Sequence, residues 1–86
     1  MKKIEKISDK LELPRELVLD LPVIKMISNE SVTVQNYKQI LEYTENFLRL
    51  KVKNGVAIIE GESLVITKID KEQIEIKGVI KNCGIL

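Results

Sequence analysis

The sequence predicts a mainly β protein, an antiparallel meander of about seven to eight short strands after one or two short N-terminal helices. Apolar and polar residues alternate from Val23 onward, as in strands with one buried face. Turn-favouring residues separate these runs, and the connections are too short for parallel crossovers. We expect a single domain over residues 1–86, with a helical segment at 1–22 and the β meander at 23–86.

The helix signals lie in residues 1–22. Apolar residues recur there at helical spacing and form one narrow stripe: Ile4, Ile7 and Leu11. Pro14 suits the first turn of a second short helix, where its missing N–H is not needed. Pro22 ends that helix, because proline disfavours helical conformation in the residue before it. Such a short segment needs packing to be stable, so we expect residues 13–22 to dock on the sheet more firmly than residues 1–10.

The strands follow in order along the rest of the chain. They are predicted at residues 23–28, 31–35, 39–44, 47–53, 56–61, 63–69 and 73–79, and residues 80–86 add an eighth if the pattern continues. Turns are predicted between them at residues 29–30, 36–38, 45–46, 61–62 and 70–72. Asn54-Gly55 is the strongest turn signal, since both residues tolerate the positive φ that a type I′ hairpin requires.

Several predicted strands are apolar on both faces, as in Ile58-Ile59 and Leu64-Val65-Ile66. A single sheet with one face in water would alternate more strictly. Either the sheet folds over itself or its second face is covered by another molecule, and we favour a sandwich or roll core. A β-solenoid is the alternative architecture, because regular turn spacing is also its signature. So small a β domain is expected to gain stability by forming a homo-oligomer.

The composition excludes most catalytic chemistry. The chain has no histidine and a single cysteine, Cys83, so a Cys-based zinc site and an imidazole base are both excluded. No phosphate-binding glycine motif is present. We therefore expect no enzyme activity, no cofactor and no metal. Charged residues break up the apolar stretch that an N-terminal secretory signal would need, and no apolar run is long enough to span a membrane. We therefore expect a cytoplasmic protein without direct membrane insertion.

Four residues are the candidates for a partner surface: Asp20, Tyr37, Arg49 and Lys51. Asp20 either meets a cation of a partner or braces the corner before the first strand. Arg49 and Lys51, with Lys53, form a basic stripe on one strand face. A small nucleic-acid-binding β domain is therefore the alternative function. It is disfavoured because the net charge is only +1 and few aromatic residues are available for stacking.

Residues 13–29, LPRELVLDLPVIKMISN, resemble the opening signature of the YabP/YqfC family, especially its YqfC-like branch. The resemblance continues at Asn36-Tyr37-Lys38, at IEGESL (residues 59–64) and at IKGVI (residues 76–80). It implies a protein of endospore formation that is not an enzyme and has no established active site. It also implies association with a membrane-bound partner of the YqfD type, and a place in the cytoplasm of the mother cell.

Overall fold

Residues 20–86 are the part of the chain that the computed structural model describes, and they form one antiparallel sheet of six strands. The strands are β1 (Val23–Ile27), β2 (Ser31–Gln35), β3 (Tyr37–Tyr43), β4 (Phe47–Val52), β5 (Gly55–Ile69) and β6 (Gln73–Ile85). Their order across the sheet is β1-β2-β6-β5-β4-β3. The predicted mainly β, antiparallel class is thus confirmed for this part of the chain.

Two long strands, β5 and β6, form the hairpin on which the rest of the sheet is built. β2 pairs with residues 73–77, the first part of β6. β4 pairs with residues 55–60, the first part of β5. Because β5 and β6 are antiparallel, the two flanking hairpins lie at opposite ends of the long one. We call β1, β2 and the adjacent parts of β6 and β5 the first half-sheet, and the remainder the second half-sheet.

The long hairpin bends where the two half-sheets meet. Its register shifts between Glu60 and Gly61 and again between Glu62 and Val65. Gly78, on the facing strand, has a φ of 148°. Bulges bend a strand and increase its local twist. The two strands therefore pass from one half-sheet into the other without a reversing loop.

The turns of the flanking hairpins brace this bend from both sides. Two carbonyls of the β1–β2 turn accept from the amides of Gly78 and Ile80, at 3.2 and 2.8 Å. Two carbonyls of the β3–β4 turn accept from the amides of Gly61 and Leu64, at 2.9 and 2.8 Å. Each turn thereby satisfies backbone groups that the bulges remove from the β5–β6 ladder.

The hydrophobic core lies between the two half-sheets. Its buried side chains form one cluster: Val32, Val34, Leu48, Leu50, Val52, Ala57, Ile59, Leu64, Ile74, Ile76 and Ile80. Val32 and Ile74 belong to the first half-sheet, and Leu50 and Ile59 to the second. One cluster holds residues of both because the sheet folds over itself, as the favoured sandwich or roll interpretation expected. Truncating one of the large aliphatic residues to alanine would cost about 2–5 kcal/mol.

The predicted count of seven to eight strands is wrong for the described part of the chain, which has six. Predicted segments 56–61 and 63–69 are both parts of β5, and segment 73–79 continues through most of 80–86 as β6. At the predicted turn Gly61 permits close backbone approach instead of chain reversal. A β-carbon there would lie 1.9 Å from the carbonyl oxygen of Val79.

The predicted simple meander is also wrong, because β2 pairs with β6 and not with β3. Asn36, with a φ of 64°, instead directs the chain from the first half-sheet into the second. The solenoid alternative does not hold, since every described strand pair is antiparallel within one sheet.

The predicted hairpin between β4 and β5 is present, but its turn is shifted by one residue. Val52 pairs with Gly55, so the turn residues are Lys53 and Asn54. Asn54 has a φ of 65°, whereas Gly55 is not among the residues with positive φ. Gly55 is constrained by space, because a β-carbon there would lie 2.3 Å from the carbonyl oxygen of Leu86. The type I′ turn at Asn54-Gly55 is therefore wrong.

The predicted helices of residues 1–22 fall almost entirely outside the described residues. Of that segment the structure describes only residues 20–22, which form a turn and an irregular approach to β1.

Candidate partner surface

Asp20 lies at the corner where the chain approaches β1, and its carboxylate forms an ion pair with Lys38 at the start of β3. Its φ of 60° is one that aspartate tolerates better than most residues. Both side chains are about half exposed, so the pair contributes little to stability. It does connect the approach to β1 with β3, which is the geometry of a corner brace.

Tyr37 lies at the same corner. Its hydroxyl donates to the backbone carbonyl of Asp70 at 2.6 Å, and its ring packs against the core. The neighbouring Asn36 donates from Nδ2 to the carbonyl of Leu21, also at 2.6 Å. Asp20 and Tyr37 are thus brought together by the fold, and both make contacts within the chain.

Arg49 and Lys51 lie elsewhere, on the outer face of β4. Arg49 Nη1 is 2.5 Å from Glu42 Oε1 on β3, and both side chains are about half exposed. Lys51 is exposed and lies opposite Gln39 in the β3–β4 register. The structure therefore divides the four candidates between two places. Sequence reasoning missed Glu42, although a carboxylate on the strand predicted to precede β4 could have indicated a cross-strand pair.

This outer face does not favour nucleic-acid binding. Glu42 offsets the charge of Arg49 at one end of the basic stripe, which leaves a shorter basic surface. Tyr43 is engaged by the fold, since its hydroxyl donates to the carbonyl of Leu64 at 3.3 Å and accepts from the amide of Ile66 at 3.2 Å. Single-strand binding needs aromatic platforms beside a continuous basic groove.

A polar groove of about 300 Å³ lies on the outer face of the first half-sheet. Lys25 and Lys68 line it together with Asp70 and Glu75. Positive and negative side chains are balanced there, so the groove does not focus a field on a ligand of one charge. Within residues 20–86, no cluster of three metal-ligating side chains is found.

Cys83 is a half-buried free cysteine whose Sγ lies 3.9 Å from Sδ of Met26. It packs against the core as a small apolar residue. No helix among the described residues is both long and apolar enough to cross a membrane.

The last part of β6 carries an apolar surface that sequence reasoning missed. Ile85 and Leu86 are 47% and 83% exposed. They border a largely apolar depression of about 240 Å³, which is also lined by Ile58, Glu60, Asn82, Cys83 and Gly84. The signal that could have indicated this surface is the absence of any charged side chain from residues 82–86.

The family model described as the YabP family matches residues 21–84. The uncharacterized protein YqfC of Bacillus subtilis (strain 168) is 37% identical over 70 residues, which cover 81% of this chain and 75% of that protein. No solved structure matches the chain significantly. The family match begins at Leu21, which Asn36 binds, and ends in the last part of β6, so it spans nearly the whole six-stranded sheet. The chain belongs to the YabP family.

Proposed function

We propose that this protein is a non-enzymatic structural or adaptor protein of endospore formation, acting by assembly with other proteins. Membership of the YabP family and the similarity to YqfC support the sporulation context. The surface of the sheet supports assembly as the mode of action.

The observation that carries the proposal is the exposure of large apolar side chains on the strands. Ile27 and Val65 are 68% and 53% exposed on the outer face of the first half-sheet, at the two ends of a cross-strand row whose middle members are Ser31 and the exposed Lys77. Val79 is 42% exposed. Single exposed apolar residues are ordinary on any protein. Several on one face of a small sheet favour contact with another protein.

The expected partner is a membrane-bound sporulation protein of the YqfD type, met from the cytoplasm of the mother cell. The adaptor would dock on the partner by apolar contact and need no cofactor. Nucleic-acid binding has less support, because Glu42 pairs with Arg49 at one end of the basic stripe.

Affinity capture from a sporulating, endospore-forming bacterium tests the proposal. The tagged protein should retain the YqfD-type partner from detergent-solubilised membranes, and 1 M salt should weaken the complex far less than it weakens a phosphate-binding protein. Ile27→Lys combined with Val65→Lys should lose the partner. Gln39→Lys, which adds one positive charge at an exposed position of β3, should retain it.

A strain of the same bacterium that lacks the protein tests the biological role. Loss of the protein should lower the yield of heat-resistant spores, and the parent sequence should restore it. A normal spore yield without the protein, together with no captured partner, would contradict the proposal. Salt-sensitive capture of nucleic acid would replace it with the alternative.

A further inference from the structure

The end of β6 presents an open sheet edge, which we call the β6 edge and define as residues 82–86. Val56 and Leu86 exchange both backbone hydrogen bonds, at 3.0 and 2.8 Å, so they form a hydrogen-bonded pair. In an antiparallel ladder such pairs alternate. The N–H and C=O groups of Cys83 and Ile85 therefore point away from β5. Among residues 20–86 no strand pairs with that side of β6 beyond residue 77.

The other open edges of the described sheet are protected against pairing. β1 carries Lys25 at its centre, and β3 carries Lys38 and Glu42. The open part of β5 carries Lys68, and the hydroxyl of Tyr43 covers its Leu64 carbonyl and Ile66 amide. Charged residues and covered backbone groups are the usual means of preventing edge-to-edge contact. The β6 edge has no charged side chain.

The surroundings of the β6 edge are open and largely apolar, although Glu60 also lines the adjacent depression. Exposed apolar side chains adjoin it on the inner side through Met26, which contacts Cys83, and along the strand through Ile85 and Leu86. A β-carbon added at Gly84 would meet no atom within 4 Å, and Gly84 is not among the residues with positive φ. The strand can therefore accept a neighbour at close range.

We propose that the β6 edge pairs antiparallel with the same edge of a second copy of this chain, about a two-fold axis at Gly84. Cys83 of each copy then lies opposite Ile85 of the other, and these pairs exchange about four backbone hydrogen bonds. The two Gly84 residues form the close, non-hydrogen-bonded pair on the axis. The result is a closed dimer with a continuous sheet through both copies.

Charge favours self-pairing of the β6 edge over self-pairing of the other open edges of the sheet. The two-fold axis at Gly84 brings no charged side chain against its own copy, since residues 82–86 carry none. The corresponding axis on β1 would pass through Lys25 and place lysine against lysine, which destabilises a cross-strand pair. This inference deepens the proposed assembly function by naming one partner, a second copy of the chain.

The test uses the full chain and Gly84→Lys, with Gly84→Ser as its matched control. Circular dichroism and thermal unfolding should show all three proteins folded, because there is open space at Gly84. Light scattering across a concentration series should give a dimer for the parent and for Gly84→Ser. Gly84→Lys should raise the dimer dissociation constant by about ten-fold or more, since the lysines face each other on the axis.

Disulfide trapping gives an independent measurement. With Cys83 replaced by serine, Gly84→Cys should form a cross-linked dimer under mild oxidation, since the Cα atoms of a non-hydrogen-bonded pair are about 4.5 Å apart and within disulfide range. Lys25→Cys in the same background should not. A monomeric parent, an undiminished Gly84→Lys dimer or equal cross-linking of both variants would overturn the pairing. If the pairing is overturned but the parent protein still captures its membrane partner, the proposed adaptor function stands without the dimer.

Discussion

Gly61 on β5 lies so close to Val79 on β6 that a β-carbon at Gly61 would be 1.9 Å from the Val79 carbonyl oxygen. This contact is located where the register of the two strands shifts and the sheet folds over its own core. The position accepts only a residue without a side chain, and the bend depends on it.

Gly61→Ala is therefore expected to lower the free energy of unfolding by about 2 kcal/mol, because the added methyl forces the two backbones apart. Chemical denaturation with urea measures the change. Gly84→Ala is the control, since its methyl would meet no atom within 4 Å. Equal stability of both variants would contradict the close contact at the bend.

Asn36 combines a left-handed backbone, with a φ of 64°, and a side-chain hydrogen bond to the Leu21 carbonyl. Asn36→Gly loses the hydrogen bond but keeps the backbone unstrained, and should cost about 1 kcal/mol. Asn36→Ala loses the same bond and adds about 1–2 kcal/mol of backbone strain. Thermal unfolding should rank the parent above the glycine variant and the glycine variant above the alanine variant. The reverse order of the two variants would show that strain at this corner does not matter.

Tyr43→Phe should uncover the open edge of β5. The lost hydroxyl leaves the Ile66 amide without its 3.2 Å acceptor, so that amide should exchange faster with solvent and stability should fall by about 1 kcal/mol. Tyr37→Phe is the matched control, because it removes a hydroxyl bonded to Asp70 and leaves Ile66 untouched. Hydrogen exchange followed by NMR distinguishes them. If Ile66 exchanges at the same rate in the parent and in Tyr43→Phe, the hydroxyl does not protect this edge.

Glu62 at the bend accepts a hydrogen bond from Lys81 Nζ at 2.7 Å. That hydrogen bond, and then the lysine charge, hold the pKa of Glu62 below its usual range. A lowered folded-state pKa gives stabilisation that is present above the unfolded-state pKa and is lost as pH falls through the folded one. The contribution should be small and sensitive to salt, because both side chains are exposed.

An NMR titration of the Glu62 carboxyl group tests this pair. Lys81→Gln should return the pKa of Glu62 to the ordinary glutamate range, while Lys77→Gln should leave it lowered. A titration curve that is the same in all three proteins would show that Lys81 does not hold the Glu62 carboxylate.

We expect residues 13–22 of the N-terminal segment to stabilise the sheet more than residues 1–10 do. Deleting residues 1–10 should leave a folded sheet with a similar melting temperature. Deleting residues 1–22 also removes Asp20, which pairs with Lys38, and the Leu21 carbonyl that Asn36 binds. The longer deletion should unfold or aggregate. Two deletions of equal stability would mean that residues 11–22 do not hold the corner between β2 and β3.

The sequence by itself determined the strand class and most local boundaries. β2 matches its predicted span, residues 31–35, and the turn at residues 45–46 lies where it was predicted. The turn at residues 70–72 is also correct, since the Asp70 carboxylate caps the amides of Glu72 and Gln73 at 2.8 and 2.9 Å. These features follow from side-chain alternation and turn chemistry, which act over a few neighbouring residues.

The tertiary structure decided which residues on different elements contact each other. Gly61 could have been a turn or a bulge, and the facing Val79 carbonyl made it a bulge. Glu42 became the partner of Arg49 when the β3–β4 hairpin formed, and Asp20 became that of Lys38 when the approach to β1 was placed beside the start of β3. The open β6 edge likewise exists because β2 pairs with only the first part of β6. Pairing between strands depends on contacts across the whole chain, which no local pattern of residues encodes.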